Sequence, residues 1–343
     1  MNKTPVSELD YELPIESIAQ EPYKNPEDSK LLDASTKEIY KFSEINKIID
    51  SKSLMIFNSS QVVDARIRTR KFETGGQFEI FILEVLNEDT ALCLIKTSGK
   101  KKLNEEIKLE NFNITLVSHE EDRFKVIFST PVIDIIQKFG ITPLPPYIID
   151  EKHKYKYYKN FFSKKGFSTA SSTAGLHFTS DIFQKLKDKG IEIDFINLDI
   201  GLGTFKPIST DYVEDFNIHS ENYQIQRNTY ENIIKKKKNG YKIYCVGTTT
   251  LRALEYVNIT SELKGSTDLF ITKDFKFNIA DYLITNFHAP RSTLISIVHA
   301  IYGDNWKDLY SYALKKELKF LSFGDAVLCL LYTSDAADDS PSV

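Results

Sequence analysis

A chain of 343 residues exceeds the length at which one hydrophobic core keeps growing, so a large domain with a smaller one is the expected organisation. Its 41% hydrophobic and 27% charged residues are those of an ordinary folded protein, which excludes a disordered or collagen-like chain. Lys+Arg of 44 against Asp+Glu of 48 leaves a net charge of −4, so no global positive field draws in nucleic acid and any such contact must be local.

In chain order, the N-terminal stretch carries Glu8, Asp10 and Glu12 where a leader would carry basic residues before an apolar run. No segment approaches the roughly 20 apolar residues of a membrane span. Cys93, Cys245 and Cys329 are far apart and odd in number, which argues against a disulfide framework and a paired-cysteine metal site. A reducing, cytoplasmic location is the expectation.

From Gln77 to Thr130 short alternating runs are separated by polar turns, including Phe78-Ile80-Ile82, Ala91 to Ile95, Ile114 to Val117 and Phe124 to Phe128. This pattern predicts an antiparallel sheet or small barrel. On both sides it changes to strands followed by helices, at Ile191 to Leu198, Tyr241 to Val246 and Tyr282 to Ile284. The predicted fold class is α/β, a barrel-like or mixed α/β core with an inserted antiparallel β-rich domain. The expected ranges are 1–66 and 132–328 for a discontinuous catalytic core and 67–131 for the insertion. The prolines of Pro143-Leu144-Pro145-Pro146-Tyr147 mark re-entry into the core. After Val327 the composition shifts to Thr333-Ser334-Asp335-Ala336-Ala337-Asp338-Asp339, so 329–343 reads as a non-native tail resembling sequencing-adapter read-through.

Several polar loops follow the predicted strands, where sites of α/β proteins collect. Small residues before His177, in Ser172-Thr173-Ala174-Gly175-Leu176-His177, let a ligand approach the backbone, and a helix is expected to begin near Thr179 or Ser180 and to end in Lys187 and Lys189, with Gly190 just past its end. Gly201-Leu202-Gly203-Thr204-Phe205 is a glycine loop without the full dinucleotide fingerprint. In His219-Ser220-Glu221 a carboxylate stands near an imidazole. Gly247-Thr248-Thr249-Thr250 opens a helix carrying Arg252, and its hydroxyls and amides suit a carboxylate or phosphate. The alternative is that Thr249 or Thr250 caps the helix while Arg252 and Glu255 form an exposed pair. The loop Thr285 to Thr293 carries Asn286, His288 and Arg291, an amide, an imidazole and a guanidinium, with Ser292 or Thr293 placed to cap the next helix. No ligand spacing supports zinc at His177, His219 and His288, and no metal is expected.

Together and in this order, these segments resemble one family, the S-adenosylmethionine:tRNA ribosyltransferase-isomerases of queuosine biosynthesis. The resemblance covers nearly the whole chain: Asp10 to Pro14, Phe57-Asn58, Ala65-Arg66, Pro143 to Ile148, the histidine motifs, and Gly324-Asp325-Ala326. The chain departs from the family's usual residues at Lys30, Gln61, Ser172, Asp199 and Ala289. The resemblance implies transfer and isomerisation of the ribosyl group of S-adenosylmethionine onto 7-aminomethyl-7-deazaguanine at the wobble position of tRNA. The products are epoxyqueuosine-tRNA, adenine and methionine.

That chemistry requires a base for a proton acidified by the sulfonium, an acid for the departing adenine and donors that orient two ligands. The resemblance therefore assigns His177, His219 and His288 to acid–base or base-recognition roles, with Glu221 and Asp325 as orienting or cation-binding carboxylates. Thr248, Thr249 and Arg252 are expected to bind an anion. Thr173, Gly175, Gly201, Gly203, Thr204, Asn286 and Arg291 complete the expected binding residues. Lys100-Lys101-Lys102 in the β-rich insertion and Lys235-Lys236-Lys237-Lys238 after a helix are candidate phosphate contacts, against the alternative of solvated lysine runs. The chain is expected to act as a monomer on tRNA, with S-adenosylmethionine as co-substrate. The rival readings are an S-adenosylmethionine-dependent methyltransferase and a non-catalytic tRNA-binding protein.

Overall fold

The computed structural model describes residues 3–99, 101–201, 203 and 207–331. They fall into two compact units, one drawn from Met1–Gln61, Pro145–Gly166 and Ser171–Val343, the other from Val62–Leu144 and Phe167–Ala170.

The larger unit is built on a nine-stranded sheet. Across it the strands run Lys264–Thr267, Glu221–Gln224, Glu192–Leu198, Ser53–Asn58, Lys242–Val246, Tyr282–Asn286, Ala326–Leu330, Lys30–Asp33 and Ile39–Lys41. The four strands from Glu192–Leu198 to Tyr282–Asn286 are parallel. Ser53–Asn58 is buried at every position, as a central strand covered on both faces must be. Ala326–Leu330 is antiparallel to Tyr282–Asn286 and parallel to Lys30–Asp33. Of the two expected core forms, the mixed α/β sheet is the one found, and its strand order is linear.

On one side of this sheet Phe57, Phe162, Phe178 and Phe183 form an aromatic cluster, with Phe57 and Phe178 ring centroids 4.8 Å apart and edge-to-face. The helix Ser180–Asp188 lays Ile182, Phe183 and Leu186 on that cluster. It starts where Thr179 Oγ1 accepts the Ile182 N–H and ends before Gly190 at φ +87°, as the cap residues predict. The helix Thr293–Tyr302 likewise begins with Ser292 accepting the Ile295 N–H.

The smaller unit holds a seven-stranded antiparallel sheet. A bridge between Lys71 and Leu109 brings the end of Arg66–Arg70, second in the sheet, to the end of Glu106–Lys108, the last, so the sheet curls toward closure as in a small barrel. Inward residues such as Ile67, Phe78, Ile80, Ile114, Leu116 and Val126 fill it. Here the unit differs from the expected 67–131. The helix Val132–Phe139 belongs to it, because Val132, Ile135 and Ile136 pack into the same core, and the division falls inside the Pro143–Tyr147 stretch.

Two local expectations are corrected. Lys235 to Lys238 do not follow a helix but form the last turn of Arg227–Lys238, where cations complement the helix dipole. Cys329 and Leu330, expected in the tail, are paired with Leu283 and Tyr282, and Leu331 N–H donates to Asp281 O. The rest of the expected tail, 332–343, lies outside the described residues.

Candidate functional site

The carboxyl ends of the four parallel strands deliver the loops that the sequence analysis singled out. Glu192–Leu198 leads to Gly201, Lys242–Val246 to Gly247 and Thr248, and Tyr282–Asn286 to His288. Parallel strands place these ends along one edge, the usual position of a ligand crevice in an open α/β sheet.

His177 ends a 3-10 turn, Thr173–His177. Gly175 is required inside this turn, since a Cβ there would lie 2.6 Å from Asn160 Oδ1 and 2.8 Å from Phe162 Cζ. The turn is tied to the neighbouring strand end by side chains: Thr173 Oγ1 donates to Asn286 Oδ1 at 2.8 Å, and Asn286 Nδ2 lies 3.2 Å from His177 Nε2. The other ring nitrogen, Nδ1, is 2.8 Å from Ser29 Oγ, and the Phe42 ring stacks on the imidazole at 4.8 Å. Burial pushes the His177 pKa down to about 4, because a charged ring has no water to solvate it there.

His288 is held at both ends of its own peptide unit. Its N–H donates to Tyr310 Oη at 3.1 Å and its carbonyl accepts from Tyr11 Oη at 2.6 Å, with those two aromatic rings edge-to-face at 5.2 Å. Its Nε2 is 3.1 Å from Thr285 Oγ1, and burial takes its pKa down to about 3. Both imidazoles are therefore neutral near pH 7.

A second group gathers around Glu221. Its Oε2 accepts from Arg252 Nη1 at 2.6 Å and its Oε1 from the Gly201 N–H at 3.0 Å, with both charged side chains under 5% exposed. Arg252 Nε donates to Leu269 O, while Nη2 is buried without a partner. His219 packs on Gly203 so closely that a Cβ at that glycine would lie 2.2 Å from the imidazole Cδ2. Thr204 lies outside the described residues.

The helix Thr248–Thr260 begins without a side-chain cap, and Gly247 precedes it at φ +90°. The capping alternative is thus corrected: Thr250 Oγ1 donates to Val246 O, and Thr249 Oγ1 is buried with no partner. Thr248 stands at the first position of the helix, where the amide N–H has no acceptor within it. Thr249 Oγ1 and Ser172 Oγ lie 3.7 and 2.8 Å from where a Gly247 Cβ would sit, so both hydroxyls face this helix start. The exposed Arg252–Glu255 pair is corrected as well. Both residues are buried, and Glu255 instead accepts the N–H groups of Asn278, Ile279 and Ala280.

Asp325 is fully buried, accepting from Tyr23 Oη and the Lys30 N–H on Oδ1 and from the Lys319 N–H on Oδ2. These bonds tie the 319–325 turn to Lys30–Asp33. Arg291 is exposed at φ +55°, its backbone joining Leu9 O and the Ile208 N–H. Two cavities adjoin the Thr173–Asn286–His177 chain. The larger is lined by Thr173, Asn286, His288, Ser292 and Tyr147, and the smaller by His177, Tyr23, Tyr157, Phe323 and Pro26. Ser322 reaches both.

The expected histidines thus fall into two described groups, His177 and His288 beside Asn286, and His219 beside Gly203. Sequence reasoning missed Ser29, Phe42, Tyr11 and Tyr310. Tyr11 lies in the Asp10 to Pro14 stretch of the resemblance without a role assigned to it, and no motif marks the other three; only the chemistry of a buried imidazole, which demands partners, points to them.

A profile of the family described as queuosine biosynthesis protein matches residues 6–329. The chain is 39% identical over 335 residues to the S-adenosylmethionine:tRNA ribosyltransferase-isomerase of Thermotoga petrophila, covering 95% of this chain and 99% of that protein. It is 36% identical over 335 residues to the protein of that name from Clostridioides difficile, covering 93% and 97%. The crystal structure of the S-adenosylmethionine tRNA ribosyltransferase from Thermotoga maritima matches with a TM-score of 0.54 at 32% identity, over 94% of this chain and 100% of that one.

Proposed function

This chain belongs to the queuosine biosynthesis protein family, and from that membership we infer that it is an S-adenosylmethionine:tRNA ribosyltransferase-isomerase acting in queuosine synthesis. S-adenosylmethionine and tRNA are its substrates. The acceptor is 7-aminomethyl-7-deazaguanine at the wobble position, and the products are epoxyqueuosine-tRNA, adenine and methionine. The enzyme works as a monomer in the cytoplasm; among the described residues no helix is long and apolar enough to cross a membrane.

The observation that carries this reading is the hydrogen-bonded chain Thr173–Asn286–His177 beside His288 at the ends of parallel strands. It supports a division of labour between the imidazoles. His177, neutral and engaged at both nitrogens, orients Asn286 and Thr173 toward the larger cavity. His288, neutral and lining that cavity, is free of charge to accept a proton or to bond a base edge. Glu221 balances Arg252 and holds the Gly201 backbone, so attraction for an anion falls to the uncapped helix start and to Thr249 Oγ1 and Arg252 Nη2. Asp325 supports the site through backbone donors.

For RNA, several lysines of the candidate runs are already engaged: Lys236 with Glu192, Lys237 with Asp281, and Lys102 with Glu105. Lys101 lies 4.9 Å from the Phe124 ring centroid and keeps the phosphate role, while Lys100 lies outside the described residues. The test is incubation with S-adenosylmethionine and tRNA bearing the aminomethyl-deazaguanine. Adenine, methionine and a ribosylated nucleoside in equal amounts are expected. Adenosylhomocysteine among the products would point to a methyltransferase, and tRNA binding without cofactor consumption to a binding protein.

A further inference from the structure

We propose that Ser29 is a positioning residue that fixes His177 as the neutral ring with its proton on Nδ1, leaving Nε2 to accept from Asn286. The proposal rests on the reading of His177 as a site residue.

The argument is one of hydrogen-bond direction. Ser29 Oγ has one proton, which it donates to Pro26 O at 2.7 Å. Toward His177 Nδ1, at 2.8 Å, that oxygen can therefore only accept, so Nδ1 must carry a hydrogen. A neutral imidazole protonated at Nδ1 has a bare Nε2. At 3.2 Å from it stands Asn286 Nδ2, an obligatory donor. The amide's placement agrees with this, because Asn286 Oδ1 accepts from Thr173 Oγ1. Every donor in the sequence Thr173, Asn286, His177, Ser29 thus points the same way, and the run ends on a backbone carbonyl. Moving the ring proton to Nε2 would set two donors face to face at Asn286 and remove the donor that faces Ser29.

Ser29 is well anchored for this task. It is fully buried, its N–H also donates to Pro26 O, and its own carbonyl accepts the Phe42 N–H at 2.8 Å. Phe42 in turn stacks on the imidazole. The stretch from Pro26 to Phe42 therefore grips the ring by an edge and by a face. Asp325 secures the same stretch through the Lys30 N–H. Ser29 is 0% and His177 4% exposed, so the contact between them is shielded from bulk water.

The test uses the full chain with 15N-labelled histidine, the ring signals being assigned by their loss in His177→Gln. The wild-type spectrum is expected to show a protonated Nδ1 and a bare Nε2. In Ser29→Ala the proton should redistribute between the nitrogens, and adenine release should fall about 10- to 100-fold with KM for S-adenosylmethionine within about twofold. Ser29→Thr, which keeps the hydroxyl, should restore both readouts. A wild-type ring protonated on Nε2 overturns the proposal whatever the variants do. So does Ser29→Ala with unchanged tautomer, whether its turnover is normal or falls only in step with lost thermal stability. If wild-type enzyme releases no adenine while Nδ1 is protonated, the activity reading fails and the tautomer assignment stands.

Discussion

Removing one charge of the Glu221–Arg252 pair should cost more than removing both. The pair is 2.6 Å long and both side chains are under 5% exposed, so neither charge can turn to solvent when its partner goes. In Glu221→Gln the new amide keeps a carbonyl oxygen for the Gly201 N–H but turns its NH2 toward the guanidinium, leaving a buried cation opposed by a donor. In Arg252→Met a buried carboxylate loses its charged partner. Each single change should destabilise the fold by about 3–5 kcal/mol, or about 6–20 °C in thermal midpoint. The double variant Glu221→Leu with Arg252→Met removes both charges together. It should lie only about 1–3 kcal/mol below wild type, the cost of the Gly201 amide left without its acceptor. Thermal and urea denaturation of wild type, Glu221→Leu, Arg252→Met and their double variant closes the cycle and reads the coupling directly. Single variants within about 0.5 kcal/mol of wild type, or a double variant equal to the sum of the singles, would refute the reasoning.

Thr249→Val removes a buried hydroxyl without a partner, 4% exposed, so stability should hold or rise by about 1 kcal/mol while KM for S-adenosylmethionine rises about tenfold; a fall in thermal midpoint with normal KM contradicts the anion-binding role. Because His177 and His288 have pKa values lowered from 6.5 to about 4 and about 3, their contribution to stability is present above pH 6.5 and lost as the pH falls toward those values. Urea midpoints measured from pH 7.5 to 5 should decline with a slope of up to about 1.4 kcal/mol per pH unit for each ring, and His177→Gln should flatten the decline. A chain ending at Leu331 should keep the fold, whereas one ending at Leu328 loses the buried Cys329 and Leu331 and should melt several degrees lower; equal midpoints would return these residues to a dispensable tail. Gly203→Ala drives a methyl group into His219, and adenine release should fall at least tenfold with little loss of stability, a result that normal turnover would exclude.

Of the four parallel strands all but the central Ser53–Asn58 were legible, as were the helix starts at Thr179 and Ser292 and the β-rich character of the smaller unit, because each depends on residues close together in sequence. The same holds for the loop that carries Asn286 and His288. What escaped was pairing across the chain. Nothing near Ser29 or Tyr11 signals that one meets His177 and the other His288, since the contacts form only when the sheet brings them together. The alternative of Thr249 or Thr250 as a cap fails for a local reason: Gly247 at φ +90° sets the helix start, and that angle is invisible in a Gly-Thr-Thr-Thr string. Arg252 and Glu255 have the spacing of a surface pair, yet each is drawn inward by a buried partner from elsewhere in the chain.

The place of Ala326–Leu330 between Tyr282–Asn286 and Lys30–Asp33 has a consequence for how the protein is made. Lys30 meets Asp325 across 295 positions of sequence, so a nascent chain emerging from the ribosome carries its Lys30–Asp33 hairpin partnerless for almost the whole of translation. Until residue 330 is synthesised, the strand Tyr282–Asn286 also presents an open edge, and the Pro26–Phe42 grip on His177 has no sheet to rest on. Both strand edges therefore wait for the last residues of the sheet, and unpaired edges are what neighbouring chains pair with.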